Sequence, residues 1–297
     1  MAIHSLILYN GRIVPADEPF GRAGQVGLLS GWGVFSTLRM MQGIPFAFDR
    51  HWHRMSKDAA LLSVKLPSDS AGIEADLRRL AAANQAPAST LRLAVIRNSG
   101  GMWTGPGTTG ESDLIAMTAD SKDWGDSARL TIQPNGRFAA GEFAGAKILS
   151  WAHNLTWAER ASRNGFDEAI LLNEHGRVSE CTSANIFAIY GNDVLTPPLS
   201  DGCLPGITRE VLLGEIHVPG VRVLERGLTP EDLYLADEVC ITSTTRDLLA
   251  VREIAGRELT RRGDVQERLT LAFREFSTAW IATRQAELRS TPQPAEV

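Results

Sequence analysis

Tight turns between short alternating runs are the feature that most constrains what this chain can fold into. Ser5-Leu6-Ile7-Leu8-Tyr9 is followed by Asn10-Gly11 and then by Arg12-Ile13-Val14. Asn-Gly between apolar runs closes a β-hairpin, because both residues tolerate a left-handed backbone. A second hairpin reads from Val34-Phe35-Ser36-Thr37-Leu38-Arg39-Met40 through Gln42-Gly43 into Ile44-Pro45-Phe46-Ala47-Phe48. Two helices are predicted next. One covers about 50–62, with Asp49 as N-cap and Trp52, Met55, Ala59 and Leu62 at helical spacing. The other covers 71–83, where Ile73, Leu77 and Leu80 recur. Strands at 91–96 and 114–117 follow.

Residues 120–127 are polar and divide the chain as an interdomain linker, giving an N-terminal α/β domain over 1–119 and a second domain over 128–289. In the second part a strand at 130–133 precedes a helix at 154–164 that ends on Gly165. A meander then runs through 169–172, 177–180, 185–190 and 194–196. A helix at 208–216, a strand at 238–242 and a last helix at 265–288 complete it, and residues 290–297 read as a disordered tail. Strands and helices do not alternate strictly. A doubly wound parallel sheet is therefore disfavoured, and the fold class expected is α+β in two domains.

The 297 residues are 43% hydrophobic and 22% charged, as in a soluble globular protein. A formal charge of −5 gives no basic footprint for nucleic acid, and no apolar run is long enough to span a bilayer. Residues 1–10 read as a strand rather than as a secretion signal. Cys181, Cys203 and Cys240 are odd in number and widely spaced, which points to buried thiols and a cytoplasmic location. His51 and His53 stand two apart on a predicted helix and point in different directions, so no metal site is expected.

Of 30 basic residues only four are lysines: Lys57, Lys65, Lys122 and Lys147. Lysine can lose its proton and arginine cannot, so a lysine kept in an uncharged setting invites a chemical role. Lys147 stands in Ala144-Gly145-Ala146-Lys147-Ile148-Leu149-Ser150, where apolar surroundings disfavour the charged amine and make it a better nucleophile. Glu180 lies between two strands in Val178-Ser179-Glu180-Cys181-Thr182-Ser183-Ala184-Asn185, among hydroxyls that could keep it ionised. Gly202-Cys203-Leu204-Pro205-Gly206-Ile207-Thr208-Arg209 runs through glycines into a helix, presenting backbone N–H groups to an anion. Thr242-Ser243-Thr244-Thr245 adds four hydroxyls after a strand. Each feature alone is compatible with an ordinary turn, cap or solvated side chain.

Their joint order resembles the fold-type IV, class IV aminotransferases, a group with branched-chain and D-amino-acid aminotransferases and aminodeoxychorismate lyase. The resemblance covers nearly the whole chain. It is most specific at Leu199 through Arg209 and at Glu180 followed by Asn185-Ile186-Phe187. It implies a pyridoxal 5'-phosphate cofactor at the domain interface, bound in the C-terminal domain, and a homodimer. Lys147 would carry the cofactor as a Schiff base and Glu180 would partner its ring nitrogen. Arg50, Ile207, Thr208, Ser243 and Thr244 would hold its phosphate, with Ser183 and Ala184 along its face. Phe35, Arg97 and Thr245 would meet the substrate.

Three positions depart from the family's usual forms: Ser36 where glutamate is common, Trp151 where tyrosine is common, and Met102 where some members have arginine. The reaction implied is amino transfer between a branched-chain-like amino acid and a 2-oxo acid. Alternatives are an aminodeoxychorismate lyase-type elimination releasing pyruvate and a non-catalytic dimeric relative.

Overall fold

The computed structural model describes residues 2–101, 110–260 and 262–290. Strands β1 (Ile3–Tyr9) and β2 (Arg12–Pro15) form the first hairpin, with Asn10 at φ 48° and Gly11 at φ 79° as its turn. A short helix α1 (Val26–Ser30) leads into β3 (Gly33–Met41), which turns through Gln42 and Gly43 into β4 (Ile44–Pro45). Helices α2 (Phe48–Leu61) and α3 (Ser70–Ala83) follow, then β5 (Ser89–Arg97) and β6 (Ser112–Asp120). The six strands make one antiparallel sheet in the order β2-β1-β6-β5-β3-β4.

Helix α2 begins two residues before the expected start, and Asp49 is not its cap. Ala47, at φ 51° and 1% exposed, occupies that position. Packing of the apolar hairpin end sets this helix start, with no polar cap. Helix α3 does carry a polar cap, Asp69, whose carboxylate accepts from Gly72 N at 2.9 Å. Strands β5 and β6 outrun their apolar centres because backbone pairing continues through Ser89↔Asp120 and Arg97↔Ser112.

The chain crosses to a second sheet through residues 121–126. That sheet contains β7 (Ser127–Gln133), β8 (Glu168–Leu172), β9 (Val178–Cys181), β10 (Asn185–Tyr190), β11 (Asp193–Thr196), β12 (Arg222–Glu225), β13 (Glu238–Ser243), β14 (Asp247–Ile254) and β15 (Arg257–Glu258). Its order is β12-β11-β10-β13-β14-β7-β8-β9, with β15 on β14. Helices α4 (Ala152–Arg163), α5 (Ile207–Gly214), α6 (Pro230–Leu235) and α7 (Val265–Ser290) surround it. Ser290 belongs to α7, so helix reaches the first position of the expected tail; residues 291–297 and Met102 lie outside the described residues.

Strand β14 escapes a reading of alternation because Asp247, Arg252 and Glu253 interrupt its apolar residues. Helix α6 is too short for periodicity to register, though Thr229-Pro230-Glu231-Asp232 carries a complete capping box with proline in the first turn. Among the described residues no helix is long and apolar enough to cross a membrane.

Three larger cores organise these layers, and a small fourth one seats α4 on β8 through Ala161, Ala169 and Leu171. Val34, Leu38, Leu91, Leu93 and Val95 from the first sheet meet Met55, Ala59, Leu77 and Leu80 from α2 and α3. Leu130, Ile170, Ile186, Val239 and Ile241 fill the second sheet. The third core joins the halves: Ile44 and Phe46 from the second hairpin pack with Phe187, Val211, Leu269, Phe273 and Ile281. Phe46 meets Phe273, Phe276 and Trp280 edge-on, with ring centroids 6.0, 6.5 and 5.4 Å away. Fully buried Phe273 is thus a rivet between the halves. Phe273→Ala is expected to cost about 3–5 kcal/mol in chemical denaturation, through lost transfer energy and the cavity left behind. A loss under about 1 kcal/mol would contradict that role.

Candidate active site

Between the two sheets lies a cavity of about 1080 Å³, walled from both halves of the chain. Strand alternation selects its residues from the first sheet. Val34, Leu38 and Met40 turn towards the helices, so Phe35 and Thr37 turn the other way and line the cavity. On β5 the same parity sends Leu91, Leu93 and Val95 to the core and Thr90 and Arg92 to the cavity. Register places Arg92 opposite Thr37, and its guanidinium sits 4.0 Å from the Phe35 ring centroid.

Lys147 enters from the second half on a segment hydrogen-bonded to β3. Phe35 N donates to Lys147 O at 3.1 Å and Leu149 N donates to Gly33 O at 2.9 Å. Asp58 of α2 accepts from Lys147 N at 3.1 Å. Gly145, at φ 75°, makes the turn into this segment, and a Cβ there would come within 2.9 Å of Cys203 O. Lys147 Nζ lies 4.7 Å from the Phe35 ring centroid and 5.5 Å from that of Trp151. Burial lowers the amine pKa to about 7. The Arg54 and Arg92 cations push in the same direction, while Glu180 and Asp58 oppose them.

Glu180 reaches the cavity from β9 and is 5% exposed. One carboxylate oxygen accepts from Arg137 Nη2 at 2.6 Å and Nε at 3.1 Å, and the other accepts from Leu204 N at 3.0 Å. Arg137 also donates to Asn154 Oδ1 at 3.2 Å, and Asn154 donates to Thr182 O at 2.6 Å. A buried carboxylate with charged and backbone donors is fixed in orientation.

Helix α5 starts at the cavity wall behind Gly206, which provides no side-chain cap. A Cβ at Gly206 would collide with Asn185 Oδ1, so only glycine fits this approach. Thr208 Oγ1, in the first turn, is buried with no hydrogen-bond partner, as is Thr242 Oγ1 at the end of β13. Such atoms are costly to bury unless a ligand or water serves them. Ser243, Thr244 and Thr245 line the same wall, and so do Ser183, Ala184 and Ile207.

Two expected residues fall elsewhere. Arg50 does not line the cavity; its guanidinium is ion-paired with Glu210 (2.6 Å) and Glu215 on the α5 side. The cavity arginine of α2 is Arg54, one turn and roughly 6 Å further along. It donates to Ser36 Oγ at 2.9 Å and to Pro205 O at 3.2 Å, with its Nε unpartnered and buried. Arg97 is displaced by parity: it stacks on Trp32 at 4.3 Å and donates to Ser99 O at 2.8 Å, while Arg92 takes the cavity position. Ser36 also turns away from the cavity. It is fully buried on the α2 side, 2.7 Å from His51 Nδ1. His51 is buried and His53 exposed, on different faces of α2.

Sequence reading also passes over Arg137, Arg246 and Trp124. Arg246 donates to Glu168 at 2.6 Å and to Ser183 O at 3.1 Å, and stacks on Trp124 at 3.7 Å. Trp124, from the segment between the sheets, donates to Thr245 O at 3.1 Å. These residues lie far apart in sequence, and only the tertiary pairing of their strands and loops brings them together.

Residues 33–254 match the family profile described as amino-transferase class IV. A Methanocaldococcus jannaschii protein provisionally named a branched-chain-amino-acid aminotransferase is 31% identical over 280 residues, covering 92% of this chain and 97% of its own length. The D-alanine aminotransferase of Bacillus licheniformis is 29% identical over 271 residues, covering 85% and 89%. The solved branched-chain amino acid aminotransferase of Escherichia coli shares the fold, with a TM-score of 0.83 at 24% identity over 93% of this chain and 95% of that one. With the profile spanning most of its length, this chain belongs to the class IV aminotransferase family.

Proposed function

We propose that the chain is a pyridoxal-phosphate-dependent aminotransferase that moves an amino group between a branched-chain-like amino acid and a 2-oxo acid. The observation that supports this most is the orphaned Thr208 Oγ1 at an uncapped helix start in the cavity that Lys147 and Glu180 also line. The donor set fits the cofactor. A lysine amine of lowered pKa suits an aldehyde, a fixed carboxylate suits a ring nitrogen, and free N–H and O–H donors at a helix N-terminus suit a phosphate. In this reading Arg54, Ile207, Thr208, Ser243 and Thr244 hold the phosphate, Ser183 and Ala184 line the ring, and Glu180 holds its nitrogen. Arg54 replaces Arg50 in that set because it lines the cavity and contacts the loop before α5.

When bound, the cofactor supplies an aldehyde for amine exchange and an electron sink for the substrate Cα. Lys147 Nζ, with a pKa of about 7, takes the Cα proton when neutral and returns it when charged. Arg137 and Leu204 N hold the Glu180 carboxylate in place on the cavity wall. Arg92, stacked on Phe35, offers a cation to a substrate carboxylate from the cavity wall. Phe35, Met117, Trp124 and Trp151 give the apolar surface that an aliphatic side chain requires. The branched-chain substrate class rests on that surface and on the name of the archaeal relative.

Thr37 places a hydroxyl on the cavity wall, the feature that favours the lyase alternative. Parallel assays of amino transfer and pyruvate release on one preparation separate the two. We read residues 1–119 and 128–289 as two domains with the cavity between them. We also read the protein as a homodimer, as the family resemblance implies.

Reduction with borohydride in the presence of pyridoxal phosphate is expected to label Lys147, and peptide mapping that finds Lys57, Lys65 or Lys122 instead would sink the assignment. Arg54→Leu is expected to weaken cofactor binding by about 10-fold or more, as lost charge-assisted contacts of about 1.5–3 kcal/mol imply, while Arg50→Leu leaves it within about 2-fold. Glu180→Gln should instead retain cofactor and lose turnover by about 10²-fold. Equal cofactor affinities for the two arginine variants, or normal turnover of Glu180→Gln, would refute the corresponding role. Sedimentation of the active protein is expected to give a dimer mass; a fully active monomer would rule that arrangement out.

A further inference from the structure

The buried face of α2 presents three polar residues in sequence, His51, Arg54 and Asp58, alongside Phe48, Met55 and Ala59. Spacings of three and four residues stack them on one side of the helix, facing β3 and the lysine segment. His51 bonds Ser36, Arg54 bonds Ser36 and Pro205, and Asp58 accepts from Lys147 N at 3.1 Å. Asp58 is 7% exposed, and among the described residues this is its one side-chain hydrogen bond. A neutral hydroxyl or amide could accept the same backbone proton without the cost of burying a charge. The charge at Asp58 therefore calls for a different account from the hydrogen bond.

We propose that Asp58 is a positioning residue for Lys147, fixing its backbone through the N–H and holding the proton on its amine through a buried negative charge. The charged and titratable groups facing Lys147 are Arg54, His51 and Asp58 from α2, Arg92 from β5 and Glu180 from β9. His51 is held neutral by burial, with Arg54 and Lys147 acting in the same direction. Two arginine cations thus face two carboxylates around the amine. Glu180 is engaged by Arg137, whereas the Asp58 carboxylate has no closely paired cation among the described ion pairs. Burial raises the Asp58 pKa, while the Lys147 N–H and the Arg54, Lys147 and Lys57 charges favour its ionised form. Without that anion, Arg54 and Arg92 would drive the amine proton off at lower pH.

This deepens the reading in which Lys147 supplies the reactive amine and rests on it for its catalytic consequence. Its test does not require cofactor. In the full-length chain freed of cofactor, acetic anhydride labelling of Lys147 is followed against pH by peptide mass spectrometry, giving the amine's titration midpoint. Asp58→Asn keeps an acceptor oxygen and removes the charge; Asp58→Ser does the same with a smaller group. Either folded variant is expected to lower the midpoint by about one pH unit relative to the parent chain, since removing a buried anion disfavours the charged amine. A folded variant with an unchanged or raised midpoint overturns the proposal. Failure of both variants to fold makes Asp58 a folding requirement alone and also overturns it. Failure of borohydride labelling at Lys147 would refute the cofactor assignment while leaving this shift measurable.

Discussion

The site depends on one piece of backbone pairing, the docking of residues 147–149 against β3. Strand β4 is only two residues long and pairs with Met40 and Met41 at the far end of β3. The edge from Gly33 to Phe35 is thus left for another segment, and buried N–H and C=O groups there need partners. Lys147 O accepts from Phe35 N, and Leu149 N donates to Gly33 O. A segment from the second half becomes in effect a short strand of the first sheet. The interaction that satisfies β3 also carries the amine to the wall formed by Phe35, Thr37 and Arg92.

Charge is distributed in the cavity with similar economy. Arg137 and Arg246 are committed to Glu180 and Glu168, where they act as braces. Arg54 and Arg92 are different. Arg54 bonds only a hydroxyl and a carbonyl, and Arg92 stacks on an aromatic ring, so neither guanidinium is neutralised by a close carboxylate among the described ion pairs. Arg54 is buried and Arg92 half-buried, and cations withdrawn from water in this way are expensive unless an anion arrives to meet them. Two of them in one cavity, at different walls, suit a ligand set that brings both a phosphate and a carboxylate. Their combined field also helps to hold the Lys147 amine near its titration point at neutral pH.

Residues whose chemistry is local in the chain were legible in the sequence. Lys147 stands out by its uncharged neighbours, Glu180 by its place between two strands, and Gly206-Ile207-Thr208 by running from glycine into a helix. Arg54 and Arg92 were not legible in this way, because choosing them requires phase. A helix start misplaced by two residues, from Phe48 to 50, obscures which turn of α2 meets the cavity, and Arg50 is one turn short. On β5, Arg92 and Arg97 are both arginines in a strand, and only knowing that Leu91, Leu93 and Val95 face the helices decides between them. Arg137 depends on long-range pairing, since its partner Glu180 lies 43 residues away.

Ser36 illustrates how alternation changes the meaning of a departure from family pattern. Taken alone, a serine in place of a glutamate beside Phe35 suggests an altered substrate pocket. The strand period puts Phe35 and Thr37 on the cavity side and Ser36 on the α2 side, where it receives Arg54 and bonds His51. A carboxylate at that point would pair with Arg54 and compete with any anion for its guanidinium, while favouring a charged His51. The neutral hydroxyl orients Arg54 without neutralising it and leaves His51 uncharged. The position at which substrate contact is open to choice is then Thr37, which sits opposite Arg92 in register and presents its side chain to the cavity. On the reading proposed above, Ser36 therefore governs the phosphate end of the site, and discrimination among substrates falls to Phe35, Thr37, Arg92 and Trp151.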